Sequence, residues 1–205
     1  MPIQLAVLVS GRGSNLEAIL KAIADRTLDA RVAVVLSNKA GVGALDIARE
    51  HNVPCVIVEN QGLQRLEHED AVLAELSKYV FDYIILAGYM RVLSPAFLKQ
   101  YRDTNNFFRV INIHPSLLPE FPGKNAYEDA FTAGVTESGI TVHLVDEEVD
   151  HGPILAQRKF ARQAGDTLER FKQRGLAIEH ELFPQVLQKI AVHGLPAIAK
   201  EHVKQ

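Results

Sequence analysis

Three short segments carry the residue types that do chemistry. The first is Asn112-Ile113-His114-Pro115-Ser116-Leu117-Leu118-Pro119. Alternate side chains of an extended strand share a face, so Asn112 and His114 stand side by side, an amide donor next to an imidazole that titrates near neutral pH. Pro115 ends the strand and, with Pro119, stiffens the loop beyond it. The second segment, Val145 to Pro153, holds four carboxylates between Asp146 and Asp150. A carboxylate beside His114 raises the imidazole's pKa and fixes its tautomer, each pKa unit being worth about 1.4 kcal/mol. Asp150, next to the Gly152-Pro153 turn, is the best placed by sequence; the other acids read as a solvated loop. The third segment is Ser10-Gly11-Arg12-Gly13-Ser14-Asn15, between a strand and a helix. Glycines there let backbone N–H groups converge on an anion, and the helix N-terminus adds its positive dipole end.

Each segment also has a plainer reading. The glycine segment can be a tight strand-to-helix turn with Ser14 as cap, and His114 a strand-terminal histidine bonded to nearby backbone. The segment is not a dinucleotide fingerprint, because Leu16 stands at the third glycine position and Ser37-Asn38 where an acid would hold a ribose, which leaves an NAD reading weak. The spacing of Glu148, Asp150 and His151 matches no helical His pair or calcium loop, so no metal is expected. His143 reads as a supporting group or a core histidine, and Cys55 as a small buried apolar residue.

The elements that must position these residues follow from periodicity. Ile3–Val9, Arg31–Ser37, Cys55–Val58 and Tyr83–Ala87 are apolar runs of strand length. Between them Ser14–Ala24, Val42–Glu50 and Glu67–Tyr79 repeat apolar residues at helical spacing. Such alternation predicts a doubly wound α/β fold, a mostly parallel sheet with helices on both faces, whose ligands bind at the carboxyl ends of the strands. Ser94-Pro95 opens a short helix ending near Tyr101, and Arg109–Ile113 is the next strand. A helix over Ala126–Ala133 and two β-runs, Gly139–Val145 and Pro153–Phe160, precede a long helix opening at Asp166-Thr-Leu-Glu169, a capping-box spacing. Pro184 should kink or break that helix. The tail from His193 is expected to be peripheral.

With 205 residues, 47% of them hydrophobic, the chain can bury one core, and we expect a single domain spanning 1–205. A net charge of -3 gives no basic excess for a phosphate backbone, so nucleic acid is not an expected partner. One cysteine excludes a disulfide framework, no apolar run is long enough to cross a membrane, and no leader is legible, which together point to the cytoplasm. Among the eight histidines, His114 is the candidate for chemistry; His51, His68, His193 and His202 read as surface or helix-end residues.

The three segments, with Leu86-Ala-Gly-Tyr-Met-Arg-Val-Leu-Ser-Pro95 and Thr141-Val-His143, together resemble the folate-dependent formyltransferases. Within that group the Ser-Gly-x-Gly-Ser-Asn start is similar to the phosphoribosylglycinamide (GAR) formyltransferase family of purine biosynthesis. The resemblance implies a formyltransferase fold with a Rossmann-like N-terminal half, 1–100 holding phosphate and 101–205 holding the catalytic group and the folate. It implies Asn112, His114 and Asp150 as catalytic, and Gly13, Ser14, Asn15 and Glu179 as contacts to GAR. Met90, Arg91, Val92 and Leu93, with Asp146, Glu147, Glu148 and Val149, would wrap the pterin of 10-formyltetrahydrofolate, and Arg65 would touch the folate. The expected partners are these two small molecules, with the chain a monomer or homodimer. The chain departs from the family pattern at His151, where many members have glycine, and in a longer loop at Arg102–Phe108.

Two other readings stay open. A formyltetrahydrofolate deformylase uses the same catalytic residues with water, but carries an extra N-terminal domain, whereas the first strand here starts at Ile3. A non-catalytic nucleotide- or folate-binding module would not need Asn112, His114 and Asp150 together. A tRNA formyltransferase would need a further domain and a basic surface.

Overall fold

In a computed structural model, which describes residues 1–195 and 197, the chain runs β1 (Ile3–Val9), α1 (Ser14–Ala24), β2 (Ala30–Ser37), α2 (Gly43–Glu50), β3 (Cys55–Ile57), α3 (Arg65–Leu76), β4 (Tyr83–Leu86), α4 (Pro95–Lys99), β5 (Val110–His114), α5 (Ala126–Thr132), β6 (Glu137–Leu144), β7 (Ile154–Ala161) and α6 (Leu168–His193). The strands form one sheet in the order β3-β2-β1-β4-β5-β6-β7. β1 to β5 pair in parallel; β6 and β7 are antiparallel to their neighbours. The fold is therefore the doubly wound α/β architecture that the alternation predicts, extended by an antiparallel edge.

Side-chain parity divides the core into two layers. Leu5, Val7 and Val9 of β1 join Ile111 and Ile113 of β5 under α1, α2, α5 and α6. Ala6, Leu8 and Val110 face the other way, under α3 and α4. The strand order reverses between β1 and β4, the topological switch point where open α/β sheets bind ligands. The glycine segment leaves the end of β1 and the Ala87–Leu93 segment the end of β4, so both reach that edge.

Several expectations need correction. α3 begins at Arg65 because Gln64 and Glu67 close a capping box. The cap of α6 is Thr167, which accepts from Arg170 N–H; Asp166 instead takes two hydrogen bonds from Arg174 at 2.7 and 2.9 Å. α6 continues through Pro184 without a break. His68 is fully buried, its Nε2 on the Val58 carbonyl at 2.8 Å, rather than at the surface. Cys55 is only half-buried. Past His193, Leu195 packs into the core rather than lying at the periphery; His202 lies outside the described residues. No described helix is long and apolar enough to cross a membrane.

Helix α6 closes against α5 through a glycine. A Cβ at Gly175 would strike the Tyr127 hydroxyl and lie 2.5 Å from its Cε1. At an exposed helical site Gly→Ala stabilises by about 1 kcal/mol. Here Gly175→Ala is expected to destabilise by roughly 1–3 kcal/mol through overpacking, read as a lower urea midpoint; a raised midpoint would contradict this account of the helix contact.

Candidate active site

β5 brings Asn112 and His114 to the sheet face opposite Ile111 and Ile113, beyond the cover of α4. β6 runs antiparallel beside it and sets His143 directly across from Asn112. Opposed residues in such a pair have Cβ atoms about 5 Å apart, and the Asn112 Nδ2 to His143 Nε2 distance is 3.2 Å. Nδ1 of His143 lies 2.8 Å from the Leu144 carbonyl, which accepts its N–H and fixes the plane of the ring.

Asp150 arrives from the loop between β6 and β7. Its backbone is left-handed, with φ 54, an uncommon conformation for a non-glycine residue. The loop turns so tightly that a side chain at Gly152 would collide with the Leu144 carbonyl oxygen. The Asp150 carboxylate then meets four groups: Oδ2 accepts from Gly123 N–H at 2.7 Å and lies 3.3 Å from His114 Nδ1; Oδ1 lies 3.5 Å from Asn112 Nδ2 and 3.6 Å from His143 Nε2. Burial raises its pKa, but the His143 contact, the Gly123 N–H and the nearby imidazole charges outweigh burial and hold it below the ordinary aspartate value.

His114 goes the other way. Burial is the largest influence and outweighs Asp150, so the imidazole pKa falls below its usual value rather than rising as the neighbouring carboxylate alone predicts. Nε2 of His114 donates to the Phe121 carbonyl at 2.8 Å, leaving Nδ1 of the neutral ring bare toward Asp150. A proton entering the gap between Nδ1 and Oδ2 makes the ring cationic and its Nε2–H a stronger donor.

The glycine segment caps α1 with Gly13 at φ 88, and a Cβ there would lie 2.6 Å from the Ala44 Cα of α2. Glycine is thus required on two counts, backbone and space. Ser10 ties the end of β1 to its neighbours: its hydroxyl donates to Asn38 Oδ1 at 2.5 Å and accepts from Met90 N–H at 2.8 Å. Ser14 is half-buried and borders a groove of about 830 Å³ between α1 and α6, where Nε2 of His180 is buried without a partner. Asn15 turns inward, its Nδ2 donating to Glu179 Oε2 at 2.7 Å and its Oδ1 buried without a hydrogen bond. Glu179 also accepts from the Tyr127 hydroxyl at 2.6 Å; burial of the phenol first, and the Glu179 charge beside it second, push the Tyr127 pKa well up.

Met90 and Val92 are exposed, Arg91 is half-buried, and Leu93 is buried beneath them. In the acidic loop Glu147, Glu148 and Val149 are exposed, while Asp146 accepts from Glu148 N–H and pairs with His151 Nδ1 at 2.8 Å. The Asp146 hydrogen bond and the Asp146 and Glu148 charges raise the His151 pKa. Arg65, at the start of α3, lies 3.3 Å from Glu69. Sequence reasoning missed Tyr127, Glu69, the Phe121 carbonyl and the Gly123 N–H. Main-chain groups carry no residue-type signal, and Tyr127 and Glu69 sit at ordinary positions of amphipathic helices. Among the described residues no group of His, Cys, Asp and Glu is arranged to hold a metal ion.

Comparison with known proteins places this geometry. Residues 3–187 match the family described as Formyl transferase. The chain is 38% identical over 188 residues to the phosphoribosylglycinamide formyltransferase of Bacillus subtilis, covering 91% of this chain and 94% of that protein. It is 39% identical over 189 residues to the human trifunctional purine biosynthetic protein adenosine-3, covering 92% of this chain but 18% of the length of that relative. The crystal structure of glycinamide ribonucleotide transformylase 1 from Symbiobacterium toebii superposes with a TM-score of 0.87 at 38% identity, over 93% of this chain and 88% of that one. A family match over residues 3–187, with fold and sequence shared with these relatives along nearly the whole of its described length, shows that this chain belongs to the formyl transferase family.

Proposed function

We propose that this chain transfers the formyl group of 10-formyltetrahydrofolate to the amine of GAR, in the cytoplasm, by direct attack through a tetrahedral intermediate. The observation that carries the reading is the meeting of Asn112, His114 and Asp150, drawn from β5 and from a loop far along the chain, with His114 Nδ1 3.3 Å from Asp150. The neutral amine attacks the formyl carbon, and the carbonyl oxygen takes up negative charge. Asn112 Nδ2 and His114 Nε2 are the donors available to it. The Phe121 carbonyl now accepts from Nε2, so the formyl oxygen takes its place. The amine gives up its proton, the bond from the formyl carbon to the folate nitrogen breaks, and that nitrogen gains a proton. The gap between His114 and Asp150 is where a proton in transit is best stabilised.

Gly13, Ser14 and Asn15 hold the phosphate through the free N–H groups at the start of α1, and Glu179 holds the ribose. The residues fit a pterin: exposed Met90, Val92 and Val149 supply apolar contacts, and Arg91, Leu93 and Asp146 to Glu148 supply the surrounding wall. Arg65 reaches the rest of the folate.

Transfer and hydrolysis separate in one assay. Tetrahydrofolate is expected to appear only when GAR is present; release at the same rate without GAR would identify a deformylase, and none under either condition a binder. In the same assay His114→Ala and Asp150→Asn are expected to lower kcat by roughly 10²–10⁴-fold, with circular dichroism unchanged. Near-normal turnover in both would remove these residues from the chemistry.

Because the Asp150 charge raises the His114 pKa against the larger effect of burial, Asp150→Asn should move the His114 titration further down. Imidazole NMR across pH 4–8, a range about the unperturbed value of 6.5, reads this directly. A titration that stays put or moves up would show that Asp150 does not act on His114 by its charge.

A further inference from the structure

His151, in the loop between β6 and β7, has no part in the proposed transfer, and it is one of the places where the chain departs from the family pattern. Its side chain is 66% exposed, with Nδ1 2.8 Å from Asp146 Oδ2. The other oxygen of Asp146 accepts from Glu148 N–H at 2.9 Å, so one carboxylate ties three positions of the loop together. The base of the loop is fixed separately: Leu144 N–H donates to the Pro153 carbonyl at 2.8 Å, and Gly152 has no room for a side chain. The inner side is held by Asp150, which accepts from Gly123 N–H. Among the described residues no hydrogen bond joins Asp146, Glu147, Glu148 or Val149 to another element. The outer side of the loop is therefore closed by the contact of His151 with Asp146.

We propose that His151 is a positioning residue for the formyl donor: clasped to Asp146, it holds the outer half of the loop in its curve, so that this wall of the donor site is formed before the donor arrives. This rests on the reading of Asp146 to Val149 as a wall of the donor site. The clasp depends on charge. The Asp146 hydrogen bond and charge, and then the Glu148 charge, raise the His151 pKa above its ordinary 6.5, and both acids belong to the same loop. A group whose pKa is raised by its partner stabilises fully below its ordinary value, and that stabilisation is lost as pH rises through the raised value. Because Asp150 is anchored independently, the clasp acts on donor binding and leaves the chemical step in place.

The clasp and the donor are read separately. In the ligand-free chain, imidazole NMR is expected to show His151 titrating above 6.5, and Asp146→Asn to bring that titration down. Calorimetry with tetrahydrofolate then measures the wall. At about pH 6, His151→Ala is expected to weaken its Kd about threefold, with kcat and the KM for GAR within about twofold, as suits an exposed charge pair. The ratio of the two Kd values should shrink by about pH 9, where the imidazole is neutral; the other histidines are common to both proteins and cancel. His151→Arg keeps a cation and should hold the affinity of the unmodified chain at both pH values. Equal Kd values at the lower pH would remove His151 from donor positioning. A loss that stays constant with pH, or that arginine does not rescue, would reduce it to a local packing effect; each result overturns the proposal. If His151→Ala does not fold, His151→Gln is judged by the same ratio. Absence of tetrahydrofolate binding by the unmodified chain would sink the reading of the loop as a donor wall, whereas normal binding with an unmoved variant would sink this proposal alone.

Discussion

An ionised carboxylate withdrawn from water needs donors around it, and Asp150 finds two, the Gly123 N–H and the Asn112 amide, with two imidazoles beside them. The groups around it come from three separate stretches, Asn112 and His114 from β5, Gly123 from the following loop and His143 from β6, while the aspartate itself comes from beyond β6. None of these can move far without leaving the charge short of a partner. The antiparallel edge of the sheet makes this possible, because β6 returns beside β5 and places His143 opposite Asn112. The loop that follows can then fold back over the same face. A further parallel strand would have required a crossover of a dozen or more residues and carried the aspartate away.

The other half of the site obeys the same rule on the opposite face of the sheet. Glu179 of α6 is buried and takes the Asn15 amide and the Tyr127 hydroxyl, so α1, α5 and α6 are fixed to one another at the level of the glycine segment. Hydrogen bonds to a charged group are worth about 1.5–3 kcal/mol each, and losing one partner strands the charge. The close approach of Gly175 to Tyr127 is part of this arrangement. The proposed phosphate cradle at the start of α1 is thereby aimed by a buried acid that ties three helices together.

Much of this was legible in the sequence because it rests on short-range periodicity. The alternation of Ile3–Val9, Ser14–Ala24 and the elements after them specifies a parallel sheet, and the period of two places Asn112 with His114. The pairing of Asp150 with them was legible only through the rarity of an acid beside a Gly-Pro turn and through resemblance. The contacts that sequence could not show are those made by main-chain atoms, such as Gly123 N–H and Phe121 carbonyl, and those between helix residues far apart in the chain, such as Glu69 with Ser94. His68 misled for a related reason: helical position and polarity suggest exposure, but α3 turns that histidine onto the carbonyl of Val58. The capping of α6 misled by one residue, since Asp166 finds a stronger partner in Arg174 than in the helix N-terminus.

His114 shows most clearly how burial and charge compete. Counting charges alone, an imidazole beside a carboxylate should be more basic; withdrawn from water, it is less so. In its neutral form the ring holds its single proton on Nε2, where the Phe121 carbonyl accepts it, and leaves Nδ1 open toward Asp150. In the proposed transfer, once the attacking amine becomes acidic on forming its bond to carbon, the gap between Nδ1 and the carboxylate is the better home for a proton. Protonation there strengthens Nε2–H as a donor at the moment the formyl oxygen gains charge. In the proposed transfer the depressed basicity of His114 favours differential stabilisation, with a donor weak toward the ground state and strong toward the intermediate.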